Sequence, residues 1–297
     1  MKQKNRSGKL IVCSDGQEKI LSMLYGNVFG RMLLKPLTAP CISRFAGVLL
    51  STKASCILIR PFIRKNNIDM TQFEPARYRS YNEFFSRKIR SETRPVDQNP
   101  KHLISPCDSK LTVMPITKDC HFRLKQTEYT VQSLLKSERL ACEYEGGYAM
   151  IFRLTVDDYH RYGYIADGIK EKNIKIPGIL HTVNPIANDY FPIYKENSRE
   201  YTILHTKEFG DLVQMEVGAL LVGKIVNHHE RAKVRRGQEK GYFQFGGSTV
   251  VVLVKEGIVQ IDDDILENSS HGIETIVKFG EKIGGIYQSE NQRRKLC

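Results

Sequence analysis

The sequence predicts an α+β fold, with a basic helical N-terminal region at residues 1–70 followed by a mainly antiparallel β-sheet domain at residues 71–297. Two observations predict it. Between residues 17 and 59 the apolar side chains recur at helical spacing among cations, whereas from Leu103 onward they fall in short alternating or β-branched runs separated by turn residues. The chain of 297 residues, 41% hydrophobic and 26% charged, can build one large core or two small ones.

The elements follow in order. Residues 1–9 are polar, and the apolar residues 10–13 are too few for the core of a secretory signal. Within residues 17–35, Leu21, Leu24, Val28 and Met32 share one helical face, which the poor helix formers Gly26 and Gly30 weaken. After Pro36 and Pro40, a second amphipathic segment at residues 42–59 carries Phe45, Val48, Leu49, Cys56 and Ile57 and ends before Pro61. Ser80-Tyr81-Asn82-Glu83 is a capping box that starts a third helix and turns Phe84, Phe85 and Ile89 inward. Strands are expected at residues 148–154, 201–205, 212–217, 220–226 and 249–254, with one helix near residues 130–139. Pro177-Gly178, Asn184-Pro185, Arg236-Gly237 and Gly246-Gly247 mark turns.

The net charge of +12 is concentrated at the start of the chain. Residues 1–65 hold twelve Lys or Arg against Asp15 and Glu18, a balance of +10 that leaves about +2 for everything after. A basic amphipathic region of this kind suits an anionic membrane surface on the cytoplasmic side, although the same apolar faces could simply cover the core. No run of 18 apolar residues exists, because Lys53 and Arg60 interrupt the most hydrophobic stretch, so peripheral binding is expected rather than a spanning helix. Nucleic acid is not the expected partner: aromatic residues are sparse in this region and no zinc-finger or RNP motif appears. The seven cysteines are odd in number and show neither CxxC nor Cys/His ligand spacing, so neither a disulfide framework nor a metal site is expected.

Gly246-Gly247-Ser248 stands directly before Thr249-Val250-Val251-Val252. Two glycines and a serine ahead of a strand ordinarily form a hairpin turn. The same arrangement can do chemistry if the glycines take backbone angles closed to other residues and turn the Ser248 hydroxyl onto the Gly247 carbonyl. An N-to-O acyl shift then gives an ester, and loss of the Ser248 α-proton expels the Gly247 carboxylate. The dehydroalanine left behind hydrolyses to ammonia and an N-terminal pyruvoyl group.

Seven collinear segments give that possibility a context. They are Asn82-Glu83-Phe84-Phe85-Ser86-Arg87 with Arg94-Pro95-Val96-Asp97, then Ser105-Pro106-Cys107-Asp108, Asp158-Tyr159-His160-Arg161, and the run from Pro177 to Pro185. Asn197-Ser198-Arg199-Glu200, the run from Val217 to Gly223, and the run from Gly237 to Phe243 complete the set. On these segments the chain resembles the phosphatidylserine decarboxylases across residues 78–254. The resemblance implies cleavage between Gly247 and Ser248 into a β chain of residues 1–247 and an α chain of residues 248–297 that stay together as a heterodimer. It implies a covalent pyruvoyl cofactor derived from Ser248, which takes the amine of phosphatidylserine as a Schiff base and acts as the electron sink for decarboxylation to phosphatidylethanolamine.

The catalytic residues so implied are Asp108, His160 and Ser248, with Asp108 orienting His160 and raising its pKa. His181 is a weaker candidate, and His228-His229 reads as a solvated loop. Three positions depart from the family pattern: Gly246 in place of leucine, Ser109 in place of glycine, and Gly163 where many relatives have a second histidine. Two other readings compete. Asp108, His160 and Ser248 could form a hydrolase triad, but a nucleophile elbow leads into a helix and Ser248 leads into β-branched residues. A pyruvoyl-dependent decarboxylase of a soluble amino acid would have no use for the basic amphipathic N terminus.

Overall fold

A run as rich in valine as residues 248–254 must be covered on both faces and paired on both edges, and it is. The computed structural model describes residues 2–12, 23–124, 127–183, 187, 190–220, 224–246 and 248–287. In it the strand Ser248–Val254 is buried throughout and lies in the middle of an 11-stranded sheet. On one side it pairs with Tyr148–Leu154 along its whole length, from Ser248 opposite Leu154 to Val254 opposite Tyr148. On the other it pairs with Asp211–Val217, beginning only at Thr249 opposite Val217. Ser248 is therefore held from one side. Beyond these lie Arg199–His205, Gly168–Lys170 and Ala232–Val234 on one flank, and Ser109–Pro115, Glu274–Val277, Lys2–Asn5 and Leu10–Val12 on the other. Apart from Lys2–Asn5 beside Glu274–Val277, these pairs are antiparallel. The fold is α+β, as the sequence predicts.

A small sheet of Ile225–Asn227, Glu239–Phe243 and Arg161–Gly163 packs beside the large one. It fixes His160: Arg161 pairs with Tyr242, and the Phe243 amide donates to the His160 carbonyl at 3.0 Å.

The expected strand at 148–154 is present at those bounds, and those at 201–205, 212–217 and 249–254 are each longer by one or two residues. The expected strand at 220–226 is corrected to Ile225–Asn227; residues 221–223 lie outside the described residues. The single helix near 130–139 is two, Val131–Leu135 and Glu138–Cys142, because Lys136 takes a left-handed conformation (φ 54°) that ends the first. The polar start at residues 1–9 and the short apolar run after it supply two strands, Lys2–Asn5 and Leu10–Val12. They are held by backbone pairing, and charge secures the turn between them: the Arg6 guanidinium pairs with Asp262 at 2.8 Å and Asp264 at 2.7 Å and donates to the Lys282 carbonyl.

The N-terminal helices cover the core with only part of their apolar surface, Leu50, Ile59, Phe62 and Ile63 packing on Tyr81, Phe84 and Phe85. Asn27 breaks the first helical segment and caps Val28–Leu37, its side chain accepting from the Gly30 amide. Pro40–Leu50, a 3₁₀ turn at Lys53–Leu58 and Ile59–Lys65 follow. Tyr25 and Leu34 enter the core, but Met32, Leu33, Phe45, Val48 and Leu49 are exposed, and Phe29 and Ile57 are 81% and 79% exposed. Among the described residues no single helix is long and apolar enough to cross a membrane, and the pair at residues 41–50 and 53–65 is bent by 82°. Arg44, Lys53, Arg60, Arg64 and Lys65 are exposed among these apolar side chains.

Candidate active site

The site assembles where the central strand begins. Gly246 has φ 132°, a conformation that a residue with a side chain resists, so the glycine that departs from the family pattern is required here by the backbone. Gly247 lies outside the described residues. Ser248 is fully buried, and its Oγ lies 3.3 Å from His160 Nδ1. The other ring nitrogen, Nε2, lies 2.9 Å from the Thr155 carbonyl, which can only accept. Nε2 therefore carries the proton, and Nδ1 presents a lone pair to the serine hydroxyl.

Burial, followed by the positive charge of Arg87, pushes the His160 pKa down to about 3. The imidazole is a neutral base at ordinary pH. Thr155 is held in turn by Asp158, whose carboxylate accepts from the Thr155 amide at 2.7 Å and hydroxyl at 2.8 Å. Lys110 donates to both residues at 2.6 Å. The ring of Phe85 lies on the imidazole with centroids 4.1 Å apart and planes inclined by 30°.

The helix Tyr81–Phe85 brings Phe85 there. Ser80 caps it by accepting from the Glu83 amide, as the capping box requires. Asn82 ties three segments together: its amide donates to the Gly47 carbonyl and Ser51 hydroxyl, and its carbonyl accepts from the Phe245 amide at 3.2 Å. Asn82, Phe85, Thr155, Lys110 and Asp158 were not read from sequence as site residues. Asn82, Phe85 and Asp158 stood inside the matched segments, but nothing local marks Lys110 or Thr155.

Asp108 is placed elsewhere. It accepts a two-pronged bond from Arg94, at 2.9 Å to Nε and 2.7 Å to Nη2, with the Phe279 amide at 2.8 Å and Lys278 at 3.5 Å. Burial opposes its ionisation, but the hydrogen bonds from Arg94 and the charge of Lys278 outweigh burial and hold its pKa below the usual carboxylate range. No hydrogen bond joins Asp108 to His160 among the described residues, and the His160 pKa is lowered rather than raised. The expected Asp108–His160 relay is corrected: Asp108 clamps Arg94 to the segment at Lys278, and the Thr155 carbonyl orients the imidazole. A hydrolase triad loses its third member by the same finding.

Gly163 explains the missing second histidine. A Cβ placed there would meet Phe279 Cε2 at 2.7 Å and the Gln238 carbonyl at 3.1 Å. Phe279 occupies the space, its amide on Asp108 and its ring edge-on to Tyr159. Gly163→His should destabilise the fold by about 1–3 kcal/mol, the usual cost of overpacking. Adding Phe279→Ala should cost less in that background than in the wild type, which a double-mutant cycle of thermal unfolding measures.

His181 is not at the serine. It stacks on Phe191 and lies 3.4 Å from the Tyr25 hydroxyl and 3.5 Å from Glu196, and burial pushes its pKa down to about 4. His228 and His229 lie on a loop, bonded to Glu239 and Tyr164. Among the described residues one group of metal-type donors that linear spacing does not reveal, Cys120, Cys142 and Glu145, gathers within 4.8 Å.

Comparison with known proteins agrees with the segments read in the sequence. The family profile for phosphatidylserine decarboxylase matches residues 81–285. The chain is 48% identical over 265 residues to phosphatidylserine decarboxylase proenzyme 2 of Clostridium acetobutylicum, covering 89% of this chain and 91% of that one. It is 40% identical over 278 residues to the phosphatidylserine decarboxylase proenzyme of Clostridium tetani, covering 92% and 94%. With that of Clostridium botulinum strain Langeland it shares 39% identity over 273 residues, covering 90% and 92%. A match of this length and identity decides the matter: the chain belongs to the phosphatidylserine decarboxylase family.

Proposed function

We propose that the protein is a proenzyme that cuts itself between Gly247 and Ser248, converts Ser248 to a pyruvoyl group, and decarboxylates phosphatidylserine to phosphatidylethanolamine. One observation carries this reading. In a chain of this family, the buried hydroxyl of Ser248 faces the bare Nδ1 of a neutral histidine at the first residue of the central strand.

The residues suit the formation of that group. His160 Nδ1 takes the proton of Ser248 Oγ as the oxygen closes on the Gly247 carbonyl carbon, which a serine at its ordinary acidity needs. The Tyr148–Leu154 strand keeps the Ser248 amide in place during attack, while the unpaired edge before Thr249 leaves room for the acyl shift. Phe85 covers the imidazole, backed in turn by Phe245 and Tyr81, and with His160 fully buried this keeps bulk water from it. Once formed, the pyruvoyl group supplies a ketone that takes the substrate amine and accepts the electrons released with carbon dioxide. His160 remains beside it as the group able to hold a proton and return it to the substrate carbon. Mass spectrometry of the denatured protein tests the reading. It should give chains of 247 and 50 residues, the shorter with a blocked, borohydride-reducible end, and the protein should release carbon dioxide from phosphatidylserine. A full-length chain in active protein rules it out.

The membrane is proposed as the second partner, met peripherally at its cytoplasmic face by the helices of residues 23–65. The support is the exposed row of Phe29, Met32, Phe45, Val48 and Ile57 among exposed cations. Each cation near an anionic surface contributes about 1 kcal/mol, screened over about 8 Å at physiological salt. Sedimentation with vesicles containing phosphatidylserine should weaken as salt rises and should drop about tenfold when Phe29 and Phe45 are both changed to Ser. Equal sedimentation of the double variant would remove this region from the interface.

A further inference from the structure

Among the described residues Arg87 is the largest fully buried side chain, 2% exposed, and none of them forms an ion pair with it. Its guanidinium lies 4.2 Å from the centre of the Phe73 ring and 4.8 Å from that of Phe84. Nη1 makes one long bond to the Phe84 carbonyl at 3.4 Å, and neither Nε nor Nη2 has a partner. The hydroxyl of Tyr78, whose ring meets Phe84 edge-on at 5.4 Å, is buried without a partner as well. Burial pushes the Arg87 pKa down to about 10, so the group stays charged; Asp157 acts on it only through space. A buried cation with two idle donors, next to an idle hydroxyl, is costly unless an anion completes it.

The surroundings say which anion. Tyr78 lines a cavity of about 710 Å³ with Cys56, Ile59, Arg60, Arg77 and Arg79, where the 3₁₀ turn that carries the exposed Ile57 and Leu58 runs into the helix Ile59–Lys65. On the other side Phe85, two residues before Arg87, lies on His160, and the charge of Arg87 reaches that imidazole. The cluster thus stands between a basic opening beside that turn and the reacting serine. We propose that Arg87, with the Tyr78 hydroxyl, binds the phosphodiester of the phospholipid headgroup, an assignment that rests on the reading of the chain as a phosphatidylserine decarboxylase. The substrate carboxylate is the wrong partner. It loses its charge as carbon dioxide leaves, so an arginine on it would hold back the reaction, whereas the phosphodiester keeps its charge from substrate to product. The planar fork of arginine matches two phosphate oxygens.

Binding that is equal in substrate and transition state appears in KM and not in kcat. The test compares the full self-cleaved protein with Arg87→Gln, Arg87→Lys and Tyr78→Phe. Two amines are used: dihexanoyl phosphatidylserine, and O-octyl-L-serine, which keeps the amine and carboxylate but has no phosphate. The reading is the concentration of each that half-saturates borohydride trapping, with kcat for the first. Arg87→Gln should raise the value for dihexanoyl phosphatidylserine about 10- to 100-fold, the worth of a charged hydrogen-bonded pair, with kcat changed less than about threefold. Arg87→Lys, which keeps the charge felt by His160, should fall between, and Tyr78→Phe should raise it by about three- to tenfold. The value for O-octyl-L-serine should move less than about threefold in each.

An equal rise for both amines makes Arg87 a structural cation and overturns the assignment, as does no rise for either. If neither Arg87 variant cuts itself, the side chain serves maturation instead, and the assignment also falls. A cleaved wild type that releases no carbon dioxide from phosphatidylserine refutes the parent activity, and this inference with it.

Discussion

Ser248→Ala is expected to yield one chain of 297 residues in place of two, and to release carbon dioxide from phosphatidylserine no faster than solution does. The loss is of the order of 10⁶-fold or more, because no pyruvoyl group forms. The variant should still fold, since the central strand keeps its neighbours on both sides. Removing the hydroxyl leaves the His160 Nδ1 buried without a donor, at a cost of about 1–3 kcal/mol. Denaturing electrophoresis, borohydride reduction and thermal unfolding read the three outcomes separately. A variant that still separates into fragments of 247 and 50 residues places the nucleophile elsewhere.

His160→Gln is expected to slow self-cleavage by about 10²–10⁴-fold, the usual contribution of a placed general base. The wild-type rate should be flat between pH 5 and 8, because the base is already neutral well above its pKa of about 3. An unshifted histidine would instead lose rate below about pH 6.5. Timed cleavage of freshly translated chain at several pH values distinguishes them. The same shift affects stability. The unfolded chain takes up its proton near pH 6.5 and the folded one only near pH 3, so the folded state loses ground as pH falls below about 6.5. Asp108→Asn should behave differently: breaking the buried bond to Arg94 destabilises by about 3–5 kcal/mol while cleavage of the folded fraction continues. Should Asp108→Asn abolish the cut in folded protein, the Thr155 carbonyl is not what orients the imidazole.

Much of the frame was legible because it rests on local pattern. The valines of Ser248–Val254 announce a strand buried on both faces, and Ser80 with Glu83 announces the start of the helix that carries Phe85. The partners of the site residues were not legible, because they are set by the fold. Asp108 finds Arg94 and Phe279 rather than His160, and no spacing distinguishes those choices. Lys2–Asn5 reads as a polar tail because its place in the sheet comes from backbone pairing with Glu274–Val277 on one side and Leu10–Val12 on the other, not from apolar alternation. The vacancy at Gly163 was visible as a departure from pattern, but its cause, the ring of Phe279, lies more than a hundred residues away.

The position of the central strand governs the life history of the protein. Under the proposed cut, the new chain end at Ser248 begins a strand zipped to two strands of the other fragment, and Glu274–Val277 holds the first strand of that fragment, Lys2–Asn5. The fragments are interwoven rather than docked, so they cannot exchange or part while the sheet persists. His160 precedes Ser248 by 88 residues and meets it only when the sheet closes, so scission has to follow folding. That order makes folding a one-way passage. The intact chain finds its structure as a single polymer with every strand tethered, whereas the nicked protein, once melted, would have to reunite two strangers at the concentration of a dilute solution. Heating should therefore inactivate the mature protein irreversibly while the uncut Ser248→Ala chain recovers on cooling.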